Sequence, residues 1–200
     1  FIIGMTGGIG SVKSEALKIF KSLSIKVIDL DNISKEITET SHQAIQEIKL
    51  VFGDAIFDKD NQLDRKKLKE IIFSDKNKKI NLEKILHPKI YEEVKKRLNA
   101  LSHESYVVID IPLLFETNQY TSLISRSLVI DCKENDQIER VKKRDGIDIS
   151  VIQSIIDQQI NRSSRIEKAD DVVINDGSIE KLEESIKSLH KKYLNLVAVK

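Results

Sequence analysis

The opening residues constrain this chain more than any other part of it. They read Phe1-Ile2-Ile3-Gly4-Met5-Thr6-Gly7-Gly8-Ile9-Gly10-Ser11-Val12-Lys13-Ser14. An apolar run comes first and glycines fill the middle. Lys13-Ser14 then leads into Ala16, Leu17, Ile19 and Phe20 at helical spacing. Strand, glycine loop, Lys-Ser and helix, in that order, is the layout of a phosphate-binding P-loop. Glycines let the backbone curl so that successive N–H groups face one point. The helix start adds unpaired N–H groups and a partial positive charge. In such a motif Lys13 reaches the β- and γ-phosphates of a nucleotide and the Ser14 hydroxyl ligates Mg²⁺.

One residue departs from the formula G-x-x-x-x-G-K-[ST]. Val12 stands where glycine precedes the lysine. A β-branched side chain suits neither positive φ nor close approach of backbone to phosphate. Val12 is therefore expected to weaken ATP binding, by strain or by relaxation of the loop, and Val12→Gly to tighten it. Gly7, Gly8, Gly10, Lys13 and Ser14 keep the rest of the motif.

The remaining chain alternates apolar strands with helical patterns. Ile25–Asp29 is a short buried strand ending in Asp29-Leu30-Asp31. Parallel α/β sheets bind ligands beyond the carboxyl ends of their strands. Either carboxylate there can take a proton from an attacking hydroxyl or hold a magnesium-bound water; Asp31 can equally cap the next helix. Tyr106–Asp110 is an apolar strand ending in Asp, the look of a Walker-B strand whose carboxylate holds Mg²⁺ through water. Ser127–Asp131 and Asp171–Asn175 complete five strands, and the last helix runs from Ser178.

Between Ile33 and His103 there is almost no strand signal. Ala44 to Phe52 has helical spacing with Gly53 as a stop; Leu63 to Phe73 forms a second helical face. Ile80 to Leu86 forms a third, expected to end at His87-Pro88, and Ile90 to Leu98 a fourth. So long a helical block exceeds a βα crossover and reads as an inserted subdomain. Lys35 and Arg65 within it suit an anionic substrate or a solvated surface. Arg140 and Arg144 share one helix face, and Arg162 and Arg165 follow a second helix that starts at Ile149. Four arginines on a helical hairpin suit a lid closing over phosphates, or surface ion pairs.

Bulk properties narrow the classes. Net charge is +1, so no global basic field points to nucleic acid. The single Cys132 forms no internal disulfide, and with four scattered histidines it makes no zinc site. No apolar run is long enough for a membrane span, and no basic segment precedes the first strand as in a signal peptide. A cytoplasmic monomer without nucleic-acid or membrane partners is expected.

Taken together the motifs resemble bacterial dephospho-CoA kinases over nearly the whole chain. The resemblance rests on Thr6-Gly7-Gly8-Ile9-Gly10-Ser11 with Lys13-Ser14, Val27-Ile28-Asp29-Leu30-Asp31, Leu86-His87-Pro88 and Pro112-Leu113-Leu114-Phe115-Glu116. Gln137, Arg140, Arg144-Asp145, Gln159, Arg162, Arg165, Ala169-Asp170-Asp171, Asn175 and Gly177 continue it. Val12 replaces that family's glycine, Leu30 its usual Ala and Lys35 its usual Arg. The resemblance implies an α/β P-loop kinase with a five-stranded parallel sheet flanked by helices. Its core would span 1–31, 105–135 and 169–200, a helical CoA-substrate subdomain 32–104, and a small lid 136–168. It implies ATP and dephospho-CoA as substrates with Mg²⁺. Lys13, Asp31 and Arg140 would be catalytic, Asp31 as the base. Gly7, Gly8, Gly10, Ser11, Val12, Lys13, Ser14, Glu15, Arg140, Arg144 and Asn175 would bind ATP. Asp31, Lys35, Arg65, His87, Leu114, Glu116 and Arg162 would bind the acceptor. Ser14 and Asp110 would hold Mg²⁺, the latter through water. A nucleoside monophosphate kinase, or a non-catalytic nucleotide binder decayed at Val12, is the alternative.

Overall fold

The computed structural model describes residues 1–59 and 62–199. Its elements run β1 Ile2–Gly7, α1 Lys13–Ser22, β2 Lys26–Asp29, α2 Leu30–Thr40, α3 His42–Phe52, a 3-10 turn Asp54–Ile56, α4 Arg65–Ser74 and α5 Lys76–Ala100. They continue with β3 Val107–Asp110, α6 Leu114–Thr117, β4 Arg126–Asp131, α7 Glu134–Asp145, α8 Ile149–Asp157, α9 Arg162–Lys168, β5 Asp171–Ile174 and α10 Ile179–Ala198. The chain divides into two compact units, one of Phe1–Ile28 with Leu101–Lys200 and one of Asp29–Ala100.

The first unit is built on the sheet, whose strand order is β2-β3-β1-β4-β5. Central β1 pairs in parallel with β3, setting Met5 opposite Asp110, and with β4, setting Gly7 opposite Ile130. β4 pairs in parallel with β5. This is the expected five-stranded α/β fold. Strands covered on both faces must be apolar throughout, and β1, β3 and β4 are buried almost end to end. Ile3, Met5, Phe20, Tyr106, Leu128, Ile130, Ile186 and Tyr193 form one continuous core. The polar ends of β1, β3 and β4 fall at one sheet edge, which brings Gly7, Asp110 and Asp131 into neighbouring positions.

Asp171 opens β5 inside this core. Its carboxylate takes Arg126 Nε at 2.9 Å, Tyr193 Oη at 3.1 Å and Lys192 Nζ. Burial pushes the carboxyl up, but those three donors outweigh it and hold it below its ordinary value. A depressed carboxyl contributes stability that is present above its unfolded pKa, about 4, and lost as pH falls through the folded value. Asp171→Asn is therefore expected to cost about 2 kcal/mol at neutral pH, below the range for a fully buried pair because Arg126 and Lys192 reach solvent. The loss should shrink below about pH 4. Thermal unfolding of both proteins from pH 3 to 8 checks this; a pH-independent difference would remove the ionic explanation.

The second unit is helical, with α2, α3 and α4 each packed on α5. Its start signals differ in detail from the sequence reading. Asp29, not Asp31, caps α2 by accepting the Asn32 N–H at 3.0 Å. Leu63 lies outside α4, in an isolated bridge with Phe57, because Asp64 caps that helix through the Lys66 and Lys67 N–H groups. The larger correction is α5. It does not stop at His87-Pro88 but runs unbroken through Pro88 to Ala100. Leu82, Leu86, Ile90 and Val94 recur every fourth residue and are all buried. Burying such side chains is worth about 1.5–3 kcal/mol each, so the stripe outweighs the ~3 kcal/mol cost of an interior proline.

Candidate active site

The glycine loop lies between β1 and α1. The Ser11 N–H donates to Gly8 O at 3.1 Å, and the Glu15 N–H to Val12 O at 3.0 Å. Gly10 is required by crowding against backbone, and Gly8 is closely hemmed by side-chain ends. A Cβ on Gly8 would meet Arg165 Nη1 at 2.6 Å and the Gln137 amide; one on Gly10, where φ is 73°, would lie 2.8 Å from Gln137 O. Val12 takes the position where the formula has glycine, and its φ of 65° and ψ of 32° are left-handed. That backbone is unfavourable for a β-branched residue. The loop has not relaxed away from it.

Lys13 opens α1, and its Nζ forms an ion pair with Asp110 Oδ1 at the end of β3. Both are largely shielded, with side chains 18% and 7% exposed. Ser14 follows, exposed, and the Glu15 carboxylate is taken by Lys18 at 2.7 Å. Ser11 is buried, and its Oγ makes no hydrogen bond among the described residues.

The arginines read as a lid have specific places. Arg140 on α7 donates to Asn175 O at 3.2 Å and approaches Gly10 O at 3.5 Å. Arg162 opens α9 and grips Asp131 at the end of β4, with its Nε at 2.9 Å and Nη2 at 2.5 Å from Oδ2. That hydrogen bond raises the Arg162 guanidinium above its ordinary value. Arg165, one turn on, is buried with its guanidinium against Gly8 and donates to Ile160 O at 2.7 Å. Burial pulls it below its ordinary value against the charges of Glu116 and Asp131. Arg144 instead lies at the exposed end of α7, in a two-pronged pair with Asp145 at 2.7 Å.

Asn175 is buried and donates its side-chain N–H to Ser11 O at 3.2 Å. Glu116 accepts the Ile160 N–H at 3.0 Å, and Leu114 is fully buried. Gln159 accepts the Ile9 N–H at 3.1 Å, joining the segment between α8 and α9 to the loop. The first unit thus brings together the loop, Lys13, Asp110, Arg140, Arg162 and Asn175.

Asp131 and Gln137 are not among the expected site residues, and Arg165 is expected only as one of the four lid arginines. Asp131 had a readable signal, since Ser127–Asp131 ends an apolar strand in Asp as Tyr106–Asp110 does. Cys132 is buried, its thiol pushed up to about 11 by burial, with Sγ 3.7 Å from Gly10 O.

The second unit holds the other candidates. Asp31 is exposed in the first turn of α2. Lys35 lies 4.0 Å from Glu39. Arg65 reaches back to α2, donating to Thr38 Oγ1 at 2.7 Å and Lys35 O at 3.0 Å, with Glu39 at 3.3 Å. His87 is half-buried in α5.

Comparison with known proteins agrees across the chain. The family model described as dephospho-CoA kinase matches residues 1–181. A dephospho-CoA kinase from Acinetobacter baylyi is 42% identical over 195 residues, covering 98% of this chain and 99% of its own. One from Nitrosospira multiformis is 38% identical over 195 residues, with 98% and 97% covered. Among solved structures, a dephospho-CoA kinase from Campylobacter jejuni aligns with a TM-score of 0.73 at 26% identity, covering 97% of each chain. A shikimate kinase from Bacteroides thetaiotaomicron, with a TM-score of 0.54 at 14% identity over 96% of each chain, shares the fold.

Proposed function

The chain belongs to the dephospho-CoA kinase family, and from that membership we infer that it transfers the γ-phosphoryl group of ATP to the ribose 3′-hydroxyl of dephospho-CoA, giving ADP and CoA. The observation that carries the reading at the level of the site is the Lys13–Asp110 pair beside the glycine loop. A cation at the start of α1 and a carboxylate at the end of β3 are what a kinase needs at the transferring phosphate.

Catalysis of phosphoryl transfer is mostly positioning and charge neutralisation. Loop N–H groups and the start of α1 cradle the phosphates. Lys13 neutralises charge on the transferring group, and Arg140 and Arg162 add fixed positive charge around it. Arg144 joins them when the lid formed by residues 136–168 closes. Asp31 accepts the proton of the attacking hydroxyl. Residues 32–104, with Lys35, Arg65 and His87, together with Leu114 and Glu116, recognise the acceptor.

Mg²⁺ fits the donors present. The Ser14 hydroxyl and Asp110 carboxylate are hard oxygen ligands, and Mg²⁺ is usually held by one or two carboxylates plus phosphates rather than by an all-protein cage. Among the described residues no group of three or more His, Cys, Asp or Glu could form such a cage. When bound, the ion would neutralise charge on the β- and γ-oxygens. No described helix is long and apolar enough to cross a membrane, and we place the reaction in the cytoplasm with the protein as a monomer.

The test is an acceptor panel. With Mg-ATP, ADP release is expected with dephospho-CoA and to be far slower with AMP, UMP or adenosine. Equal rates with AMP would favour a nucleoside monophosphate kinase. No turnover with any acceptor, together with measurable ATP binding, would favour a non-catalytic nucleotide binder.

A further inference from the structure

Val12 is a strained residue inside the loop on which the whole reaction depends. Strained backbone persists only where its surroundings over-determine it. The peptide planes on either side of Val12 show what does so here. After it, Val12 O accepts the Glu15 N–H at 3.0 Å as α1 begins. Before it, Ser11 O accepts the buried Asn175 side-chain amide at 3.2 Å.

The second bond decides the conformation. Turning over the Ser11–Val12 peptide would change φ of Val12 by about half a turn, out of the left-handed region and into the negative φ that β-branched residues favour. That turn would pull Ser11 O off Asn175. In a trans peptide C=O and N–H point in opposite directions, so holding Ser11 O also fixes where the Val12 N–H points.

Asn175 is itself braced. Its own N–H donates to Asp131 O at 2.6 Å, and its carbonyl accepts Arg140 Nη2 at 3.2 Å. Arg140 also leans on Gly10 O, the next carbonyl back along the loop.

We propose that Asn175 is a positioning residue that forces Val12 into the left-handed turn, so that the strain of the valine is borne by the fold and not by nucleotide binding. Asn175 then acts on ATP through the loop. This rests on the loop being the ATP phosphate site. It also replaces the expectation that Val12→Gly tightens ATP binding: with the clamp intact, that substitution should leave affinity within about threefold and raise Tm.

The test is a double-mutant cycle on the full chain: parent, Val12→Gly, Asn175→Ala and the double variant. ATP is titrated calorimetrically in Mg²⁺ buffer, and thermal unfolding is followed without nucleotide. In the parent background Asn175→Ala should weaken ATP binding by about tenfold or more, or 1.4 kcal/mol, because the freed loop must be strained again to bind. In the Val12→Gly background the loss should stay within about threefold, since glycine adopts this turn without strain.

Thermal stability should couple in the opposite sense. Asn175→Ala should lower Tm less in the parent, where releasing the clamp relieves the strain of Val12, than in the Val12→Gly background. A merely structural asparagine would move both backgrounds equally in both readouts, and that result overturns the proposal. If the parent binds no ATP, the nucleotide-site reading fails; the Tm cycle then judges the clamp alone, with equal losses sinking it. Should Asn175→Ala not fold, Asn175→Ser, too short to reach Ser11 O, replaces it.

Discussion

Lys13→Met is expected to lower turnover by at least about 10³-fold, the order found when a fixed charge at a transferring phosphoryl group is removed. Methionine keeps the unbranched stem of lysine and removes only the charge and its donors. The structure adds a second consequence. Lys13 is paired with Asp110, whose side chain is 7% exposed, so the variant leaves a buried carboxylate without this cation and Tm should fall by several degrees. The two effects separate. Turnover at saturating ATP and dephospho-CoA reads the chemistry, and nucleotide-free unfolding reads the pair. Lys13→Arg should recover most of the stability and little of the rate, because a planar fork does not reproduce a point charge on a flexible stem. Turnover of Lys13→Met within about tenfold of the parent, far short of the loss set by its role, would exclude Lys13 from transition-state stabilisation.

The second large effect is at Asp31. Asp31→Asn should reduce turnover by at least about 10²-fold, the low end for loss of a general base, with ATP affinity nearly unchanged. Asp29 is what makes this substitution clean. Since Asp29 supplies the cap of α2, removing the Asp31 charge costs the helix only the few tenths to one kcal/mol of a carboxylate in a first turn. Asp29→Ala should do the reverse, costing ~1 kcal/mol of stability as a lost cap with a small effect on rate. Steady-state rates and Tm for the pair check both statements. If Asp29→Ala is the variant that abolishes turnover, the base has been assigned to the wrong carboxylate.

The sheet was readable because four of its five strands are apolar runs closed by Asp or Gly, and a strand buried on both faces has little choice of composition. The loop was readable because few backbones other than a phosphate cradle use that glycine spacing before Lys-Ser. The helix through Pro88 was not readable. A local rule about proline competes there with an apolar stripe whose value depends on what α2, α3 and α4 bring against it. Partner choice was equally hidden. Arg144 and Arg162 are alike in sequence, yet one pairs with its neighbour Asp145 and the other with Asp131, 31 residues away. Asn175 could be set near ATP by resemblance, but its link to Ser11 spans 164 residues and exists only once the sheet has closed.

That span sets an order of events on the ribosome. Residues Asp29–Ala100 form a continuous unit whose contacts can close as they emerge, whereas the unit carrying the loop is completed by Leu101–Lys200. Strand β1 waits for β3 and β4, and the Ser11–Val12 peptide waits for Asn175. At about 5–20 residues per second, 164 residues separate the synthesis of the loop from that of its holder by roughly ten to thirty seconds. Until β3 and β4 are made the nascent chain carries a glycine-rich segment with no sheet to anchor it, and until Asn175 is made that segment lacks its holder. ATP, the ligand best able to stabilise the finished protein, can give no help to the unfinished one.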